Sequence, residues 1–390
     1  MEYNITATST FGLESVLADE LRDLGFDDLK VENGKVSFVG TEEDIAICNI
    51  WLRTADRVLI ELAQFYAESF DELFEEASRI EWSEFMPIDA RMHVNGKSIK
   101  SKLFSISDCQ AIVKKAIIEN MKRKYKQNWF SEDGDMYKIE IALLKDVATI
   151  TLDTTGPGLH KRGYREESGN APLKETLAAA MVLLSKWDPS RALSDPFCGS
   201  GTIPIEAALI GRNIAPGINR EFAGEKWSWL PPEVWTQVRE DAHSRVNDLE
   251  FRILGSDIDG WVIKTAKENA VKAGLENYIA FQKLDVNDFA SRKKYSCIIT
   301  NPPYGERIGD KEKVRQLYID FGKVYKTLDE CSCFTLTSNP DFEDLFGIKA
   351  NKNRKLYNGN LLCYLYYHFG RLPRRIVESD QEVKMTDLDY

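Results

Sequence analysis

The hydrophobic positions of residues 1–155 alternate with period two in some segments and recur every three or four residues in others. The first pattern is typical of half-buried strands and the second of amphipathic helices. We therefore predict one small α/β unit in residues 1–55 and a second in residues 56–155. The predicted strands lie at residues 3–7, 31–38, 58–65, 90–94, 137–144 and 147–153, and the predicted helices at 12–24, 69–80 and 107–126.

Strand and helix patterns alternate from residue 172 onward, after a glycine-rich linker that we place at residues 156–170. This alternation predicts an α/β fold with a Rossmann-like, mostly parallel sheet, whose ligands bind outside the carboxyl ends of the strands. Asn358-Gly359 is a hairpin signal, so we expect an antiparallel strand at the end of the sheet. We assign residues 171–390 to this domain and interpret its tryptophan-rich residues 211–250 as an irregular insertion.

Charge is distributed unevenly along the chain. The 390 residues carry a formal net charge of -11, which taken alone argues against a nucleic-acid partner. However, residues 1–90 hold 6 basic and 21 acidic side chains, whereas residues 91–165 hold 15 and 8. The excess centres on the predicted helix at residues 107–126, and we interpret it as a surface for phosphates rather than a solvated helix face. The expected contacts are Lys114, Lys115, Lys122, Arg123, Lys124 and Lys126.

The remaining composition excludes several classes of protein. With 43% hydrophobic and 29% charged residues, the chain is expected to be globular. No apolar run is long enough to cross a bilayer and the first residues do not resemble a signal peptide, so we expect no membrane partner and a cytoplasmic location. The 7 cysteines contain no Cys-x-x-Cys pair and the 4 histidines are scattered, so we expect no metal site.

Three predicted strands end in residues suited to a nucleotide-like cofactor. The first ends in a glycine-rich turn that opens a helix and lets the backbone approach a ligand. The next two end at Asp257-Ile258 and Asp285-Val286, where a carboxylate can accept hydrogen bonds from a ribose diol or an exocyclic amine. Each turn alone fits a simple helix cap, but together they indicate a cofactor site. The turn residues assigned to it are Asp195, Phe197, Cys198, Gly199, Ser200, Gly201 and Thr202.

The fourth strand ends in Asn301-Pro302-Pro303-Tyr304, the most specific motif of the sequence. The two prolines fix the backbone and have no N–H donors. The Asn301 amide oxygen and the Pro302 carbonyl can accept both hydrogens of a planar amine, while the Tyr304 ring offers a stacking face to a base. We therefore assign Asn301, Pro302, Pro303 and Tyr304 to catalysis on an aromatic amine, and we also place Asn301 against the cofactor.

Together these motifs resemble those of class I S-adenosylmethionine-dependent methyltransferases that methylate amines. The resemblance implies S-adenosylmethionine as the cofactor, with the turn at residues 195–202 on its methionine part, Asp257 on its ribose and Asp285 on its adenine. It also implies that residues 301–304 hold the target amine, to which the methyl group is transferred directly.

Residues 158–165 and 171–176 resemble the start of the catalytic domain in bacterial THUMP-containing RNA guanine-N2 methyltransferases, and residues 214–227 fit the same group. This resemblance implies a ferredoxin-like subdomain at residues 1–55 and a THUMP RNA-binding domain at residues 56–155. It further implies RNA contacts at Lys161, Arg162 and Arg165. The implied substrate is the N2 amine of a guanine in 23S ribosomal RNA.

Other functions fit parts of the sequence. The Asn-Pro-Pro-Tyr turn recognises an amine and no particular base, so methylation of transfer RNA guanine, of DNA adenine-N6 or of a protein glutamine remains an alternative. The basic region favours RNA over DNA and protein. An RNA-binding protein with a decayed methyltransferase site is the non-enzymatic alternative, and the intact Asp195, Asp257, Asn301 and Tyr304 argue against it.

Overall fold

A computed structural model describes residues 1–165, 173–305 and 310–372. The end of the predicted linker (166–170), the first two residues of the predicted catalytic domain (171–172) and the tail from residue 373 lie outside the described residues. The N-terminal elements are β1 (Tyr3–Ser9), α1 (Glu14–Asp23), β2 (Lys30–Glu32), β3 (Lys35–Gly40), α2 (Glu42–Trp51), β4 (Ala55–Tyr66), α3 (Phe70–Arg79), α4 (Trp82–Phe85), β5 (Arg91–Ile99), α5 (Ile106–Tyr125), β6 (Met136–Leu144) and β7 (Val147–Asp153).

The N-terminal strands form one continuous sheet in the order β2-β3-β1-β4-β7-β6-β5. β4 pairs with β1 on one side and with β7 on the other, so the sheet runs without a break through both predicted units. The β6–β7 hairpin turns at Lys145 and Asp146, whose φ angles of 52° and 64° are those that a tight hairpin turn requires. The sequence analysis predicted both of these strands.

Helix α2 is absent from the sequence prediction. It begins after Thr41, whose backbone N–H and hydroxyl donate hydrogen bonds to Asp44 at 2.7 and 3.0 Å. Such a cap satisfies donors that the first helical turn leaves unpaired. Six of its ten residues are buried, and they include Ile45, Ala46, Ile50 and Trp51. Because the helix lacks a broad polar face, its sequence carries no clear helical period.

The C-terminal described residues form a second sheet with helices around it. Its elements are α6 (Glu175–Ser185), β8 (Leu193–Asp195), α7 (Thr202–Gly211), α8 (Pro232–Ser244), β9 (Ile253–Asp257), α9 (Gly260–Lys272), β10 (Ile279–Lys283), β11 (Cys297–Thr300), α10 (Asp310–Tyr325), β12 (Ser332–Thr337), α11 (Phe342–Phe346), β13 (Lys352–Asn358) and β14 (Leu361–His368). The strand order is β10-β9-β8-β11-β12-β14-β13, and β14 is antiparallel to both of its neighbours. The predicted Rossmann-like sheet with an antiparallel end strand is therefore confirmed.

The tryptophan-rich segment at residues 211–250 is irregular over only about half of its length, so the prediction of an irregular segment was right in part. It contains a 3-10 helix at Ala223–Lys226 and the 13-residue helix α8. Trp227 stacks on Tyr137 of β6 with ring centroids 4.8 Å apart. Trp235 of α8 packs on Phe222, and both rings are buried in the core beneath the N-terminal sheet. The segment therefore completes the N-terminal core, although it follows the first strand of the second sheet.

A buried polar cluster joins the two halves of the molecule. Glu206 of α7 is fully buried and accepts hydrogen bonds from Tyr164 at 3.0 Å and from Arg162 at 3.4 Å. Arg162 also donates to the carbonyl of Arg53, which lies in the N-terminal half. The Arg162 side chain is only 2% exposed. The expectation that Arg162 contacts RNA is therefore wrong, because its guanidinium is enclosed between the two halves.

Candidate active site

A cavity of about 600 Å³ opens at the carboxyl ends of the parallel strands in the second sheet. Residues that follow β8, β9, β10 and β11 line it, beside the position where the strand order reverses. Ligands of open α/β sheets bind at such a position. The predicted site residues in its lining are Phe197, Gly199, Asp257, Ile258, Asp285, Val286, Asn301, Pro302, Pro303 and Tyr304.

Asp257 organises the glycine-rich turn. Its carboxylate accepts the backbone N–H groups of Gly199 at 3.1 Å and Asp259 at 2.9 Å. Gly201 adopts a φ of +85°, and a Cβ atom there would lie 2.9 Å from the Phe281 ring. The position therefore requires glycine both for its left-handed backbone and for its close packing.

Ile258 and Asp285 bring the ends of β9 and β10 to the same cavity. Ile258 is 64% exposed, so its apolar side chain is accessible to a flat ring. Asp285 accepts the backbone N–H of Asn287 at 2.9 Å and keeps lone pairs for a ligand. Leu284 and Val286 add apolar surface to the lining. The cavity thus combines carboxylates with aliphatic walls, a composition that suits a nucleoside.

Asp195 lies behind the cavity lining and not in it. Its Oδ1 accepts hydrogen bonds from the Thr300 hydroxyl at 2.6 Å and the Phe197 N–H at 3.1 Å. Burial raises the pKa of Asp195 to about 7, although both hydrogen bonds oppose that shift. Because Thr300 precedes Asn301, Asp195 ties the glycine-rich turn to the amine-binding turn. Four more of the predicted cofactor residues lie outside the cavity lining: Cys198, Ser200, Gly201 and Thr202.

The Asn301–Tyr304 turn is held by two tyrosine hydroxyls. Tyr304 donates to Oδ1 of Asn301, and Tyr318 of α10 donates to the Pro303 carbonyl at 2.7 Å. Burial raises the pKa of the Tyr304 hydroxyl, which keeps it protonated and able to donate. A carbonyl oxygen has two lone pairs, so Asn301 can still accept a hydrogen from a ligand amine. Tyr304 therefore orients Asn301, a role that the sequence did not indicate.

Several lining residues were missed by the sequence analysis. Four lie on one face of α10 with helical spacing, one follows β10 and one ends β13: Lys313, Gln316, Leu317, Asp320, Asn287 and Asn358. The spacing of the α10 residues predicts a shared helix face. The sequence does not indicate that this helix face covers the cavity, because the face contains charged, polar and apolar side chains together.

The basic residues of α5 differ in their surroundings. Lys114 pairs with Glu132 at 2.9 Å and Lys122 with Glu119 at 2.8 Å. The Lys115 ammonium lies 5.2 Å from the centre of the Phe74 ring. Three exposed residues, Arg123, Lys124 and Lys126, lie at the C-terminal end of the helix. Phosphate binding by α5 stays a prediction, and these three are the best placed for it.

The two other expected RNA contacts near residue 160 differ as well. Lys161 is exposed. Arg165 pairs with Glu175 at 2.9 Å and donates to the Thr202 hydroxyl at 3.1 Å, and its side chain is only 14% exposed. Arg165 is thus bound at the start of α7, which corrects its assignment as an RNA contact.

In the described ranges, no three His, Cys, Asp or Glu side chains are grouped closely enough to bind a metal ion. Every helix in those ranges is too short or too polar to cross a bilayer.

Three family models match the chain. The one described as an RMKL-like methyltransferase domain matches residues 162–366. The RlmL ferredoxin-like domain matches residues 4–59 and the THUMP domain matches residues 67–153.

Curated relatives cover nearly the whole chain. YpsC of Bacillus subtilis (strain 168), named as a candidate RNA methyltransferase, is 50% identical over 378 residues, which are 96% of this chain and 98% of YpsC. The ribosomal RNA large subunit methyltransferase K/L of Syntrophotalea carbinolica is 36% identical over 374 residues, which are 92% of this chain and 52% of that protein. This chain thus spans about half the length of the K/L relatives.

Solved structures show the same architecture. A Listeria monocytogenes protein described as a predicted N6-adenine-specific DNA methylase shares 50% identity at a TM-score of 0.91, over 95% of this chain and 97% of that chain. SMU.472, solved in complex with SAH, shares 44% identity at a TM-score of 0.91, over 96% and 99%. TrmN from Thermus thermophilus, at 20% identity and a TM-score of 0.67, shares the fold.

The sheet order, the glycine-rich turn and the Asn301 turn define a class I S-adenosylmethionine-dependent methyltransferase, and S-adenosylmethionine is its cofactor. Within that class, the chain belongs to the RMKL-like methyltransferase family, with an RlmL ferredoxin-like and a THUMP domain before the catalytic domain. The predictions of fold class, family and cofactor are confirmed.

Proposed function

We propose that this protein methylates the exocyclic N2 amine of a guanine in RNA, and that the RNA is 23S ribosomal RNA. The observation that carries the proposal is the Asn301–Tyr304 turn, whose four residues all line the cofactor cavity and whose Tyr304 hydroxyl holds Asn301. The THUMP domain and the names of the K/L relatives support a ribosomal RNA substrate.

S-adenosylmethionine supplies the methyl group when it is bound. Asp257 would hold the ribose hydroxyls, since each of its oxygens accepts one backbone N–H and retains a lone pair. Asp285 would accept the adenine amine, with Ile258 and Val286 against the ring. The backbone of Phe197 and Gly199 would lie along the methionine part. The carboxylates and aliphatic walls of the cavity fit this cofactor.

The Asn301 turn orients the amine for in-line attack. Asn301 Oδ1 and the Pro302 carbonyl would accept the two amine hydrogens, which would fix the plane of the amine and leave the nitrogen lone pair free to attack. Alignment of this kind contributes up to ~7–11 kcal/mol to catalysis. No strong base is needed, because the nitrogen becomes more acidic as the new bond forms. The released proton would pass to Asn301, to the Pro302 carbonyl or to water.

A guanine in folded RNA must leave its stack to enter the cavity. Extrusion of a base costs a few kcal/mol. Stacking on an aromatic ring returns about 1–3 kcal/mol per base. Tyr304 is suited to this task because its hydroxyl is bonded to Asn301, which fixes the ring beside the amine acceptors.

The test is to incubate the protein with labelled S-adenosylmethionine and, in separate reactions, unmodified 23S ribosomal RNA, transfer RNA and DNA. The nucleic acids are then digested and the labelled nucleoside is identified. We expect N2-methylguanosine from 23S ribosomal RNA. N6-methyladenine in DNA, as the name of the Listeria protein suggests for that protein, would overturn the proposal, and so would label in protein alone.

A further inference from the structure

One long segment of the second sheet lacks acidic residues. Between Asp344 and Leu372 the sequence contains no Asp or Glu, although the chain as a whole has 62 of them and a net charge of -11. The segment carries cations at Lys349, Lys352, Arg354, Lys355 and Arg371. Three of these, Lys349, Lys352 and Lys355, lie on or just before β13 and are exposed. We call these three lysines the basic edge.

β13 is the outer strand of the second sheet, and among the described residues it pairs with β14 alone. In the described part of the chain, none of the three basic-edge lysines forms an ion pair with a carboxylate. Two of their ammonium groups instead lie over aromatic rings: Lys352 is 4.5 Å from the centre of Tyr367, and Lys355 is 5.6 Å from that of Tyr357. No carboxylate of the described ranges therefore neutralises the charge of the basic edge.

The N-terminal half extends this surface. Arg354 donates from Nε and Nη2 to the Gly12 carbonyl at 3.0 and 2.7 Å, which fixes the loop before α1 against β13. Phe11 of that loop packs edge-on against Tyr357 at 6.0 Å and stays 49% exposed. Accessible rings next to unpaired cations are the combination that binds bases and phosphates of single-stranded nucleic acid.

The strand that carries the basic edge ends at the active site. Asn358, the last residue of β13, lines the cofactor cavity together with Tyr304. At a rise of about 3.3 Å per strand residue, Lys355 lies ~10 Å and Lys352 ~20 Å from Asn358 along the strand. These distances suit the phosphates that follow or precede a nucleotide placed in the cavity.

We propose that the basic edge binds the phosphate backbone of the RNA strand next to the target nucleotide. The inference rests on the proposed function in that it takes the substrate to be RNA. The basic edge is separate from the helix α5 surface, so RNA would be held both by the THUMP domain and by the catalytic domain beside the cavity.

The test compares the triple variant K349Q/K352Q/K355Q with a matched control, K264Q/K267Q/K293Q. The control removes the same charge from α9, which packs beside β9 and β10, and from the loop before β11. Filter binding of a 23S ribosomal RNA transcript is measured over a range of salt concentrations, beside kcat at saturating RNA and calorimetric affinity for S-adenosylmethionine. Loss of three single-strand phosphate contacts lowers the slope of log binding constant against log salt concentration by about 2. This change weakens binding about 100-fold at 0.1 M salt.

We expect this loss for the basic-edge variant alone, with its kcat and cofactor affinity unchanged, and recovery of binding in K349R/K352R/K355R. If wild type binds and methylates the transcript but the basic-edge variant matches the control, the inference fails and the proposed function stands. If wild type neither binds nor methylates any RNA, both fail.

Discussion

The cofactor edge of the second sheet and the basic helix α5 were both identified from short sequence motifs. In the structure, the sheet-edge residues share one site, whereas the basic residues of α5 have different surroundings. At the sheet edge, residues separated by more than a hundred positions meet around one cavity, as Phe197 and Tyr304 do. On α5, six basic residues that are close in sequence divide into groups. Lys114 and Lys122 pair with glutamates, whereas Arg123 and Lys124 are exposed.

The difference follows from geometry. Parallel strands of one sheet all end at the same edge, so a polar residue after each strand reaches a common site wherever it occurs in the sequence. A helix fixes only which of its own residues share a face. Whether a lysine on that face meets phosphate or a carboxylate depends on neighbours such as Glu132, which the helix sequence does not contain.

The sheet-edge site should fail most severely when the amine acceptor is removed. Asn301→Ala deletes Oδ1, and loss of one pre-organised polar group at a reacting centre costs about 10²–10³ in kcat. We expect a loss of that size with unchanged calorimetric affinity for S-adenosylmethionine.

Tyr304→Phe keeps the ring and removes only the hydroxyl that donates to Asn301, so it should lower kcat about fivefold. An Asn301→Ala variant with near wild-type turnover would break the assignment.

The second change separates cofactor binding from RNA binding. Asp257→Ala removes the carboxylate assigned to the ribose and should weaken S-adenosylmethionine binding about 100-fold, since hydrogen bonds to charged groups contribute about 1.5–3 kcal/mol each. RNA affinity should not change. Asp288→Ala is the control, because Asp288 lies at the same sheet edge but does not line the cavity. This variant should bind the cofactor normally. Equal effects of the two variants would contradict the role given to Asp257.

The third change tests whether the ion pairs of the α5 lysines decide which of them bind RNA. Alanine at Arg123, Lys124 and Lys126 should lower RNA affinity by on the order of 30-fold at 0.1 M salt if two of the three contact phosphates. Alanine at Lys114 and Lys122 should lower it less, because these ammonium groups are bound to Glu132 and Glu119. Salt-dependent filter binding measures both. A larger loss from the paired lysines would show that their carboxylate partners release them to RNA.

The site residues at the strand ends could be predicted because each follows an apolar strand in a recognisable turn. Their exact roles could not. The sequence placed Asp195 on the cofactor, but its partner Thr300 is 105 positions away, and only the folded sheet shows that this hydrogen bond joins the two turns.

The errors have one physical origin. Arg162 and Arg165 looked like surface cations because the surrounding segment is rich in charge, but Glu206 and Glu175 bind them in the interior. The segment at residues 211–250 looked irregular because its core partner is the other sheet. In each case, a partner elsewhere in the sequence determines whether the residue or segment is buried. The local composition does not identify that partner.

The last prediction concerns the link between the two turns. The folded-state pKa of Asp195 is about 7, above the ordinary value of 3.8 for an aspartate, because the carboxyl is buried. As pH rises from about 4 to 7, the unfolded chain releases this proton before the folded one does, so stability is highest below this window and is lost as pH rises through it. Asp195→Asn cannot ionise and keeps an acceptor for Thr300.

The melting temperature of wild type should therefore fall by a few degrees relative to Asp195→Asn between pH 5 and pH 8, at about 1.4 kcal/mol of unfolding free energy per pH unit at most. Scanning fluorimetry without cofactor measures this difference. Asp241→Asn, on the outer side of α8 beside Arg245, is the control and should follow wild type. Parallel pH profiles for wild type and Asp195→Asn would show that Asp195 ionises normally, and the link between the turns would then depend on the Thr300 hydrogen bond without a retained proton.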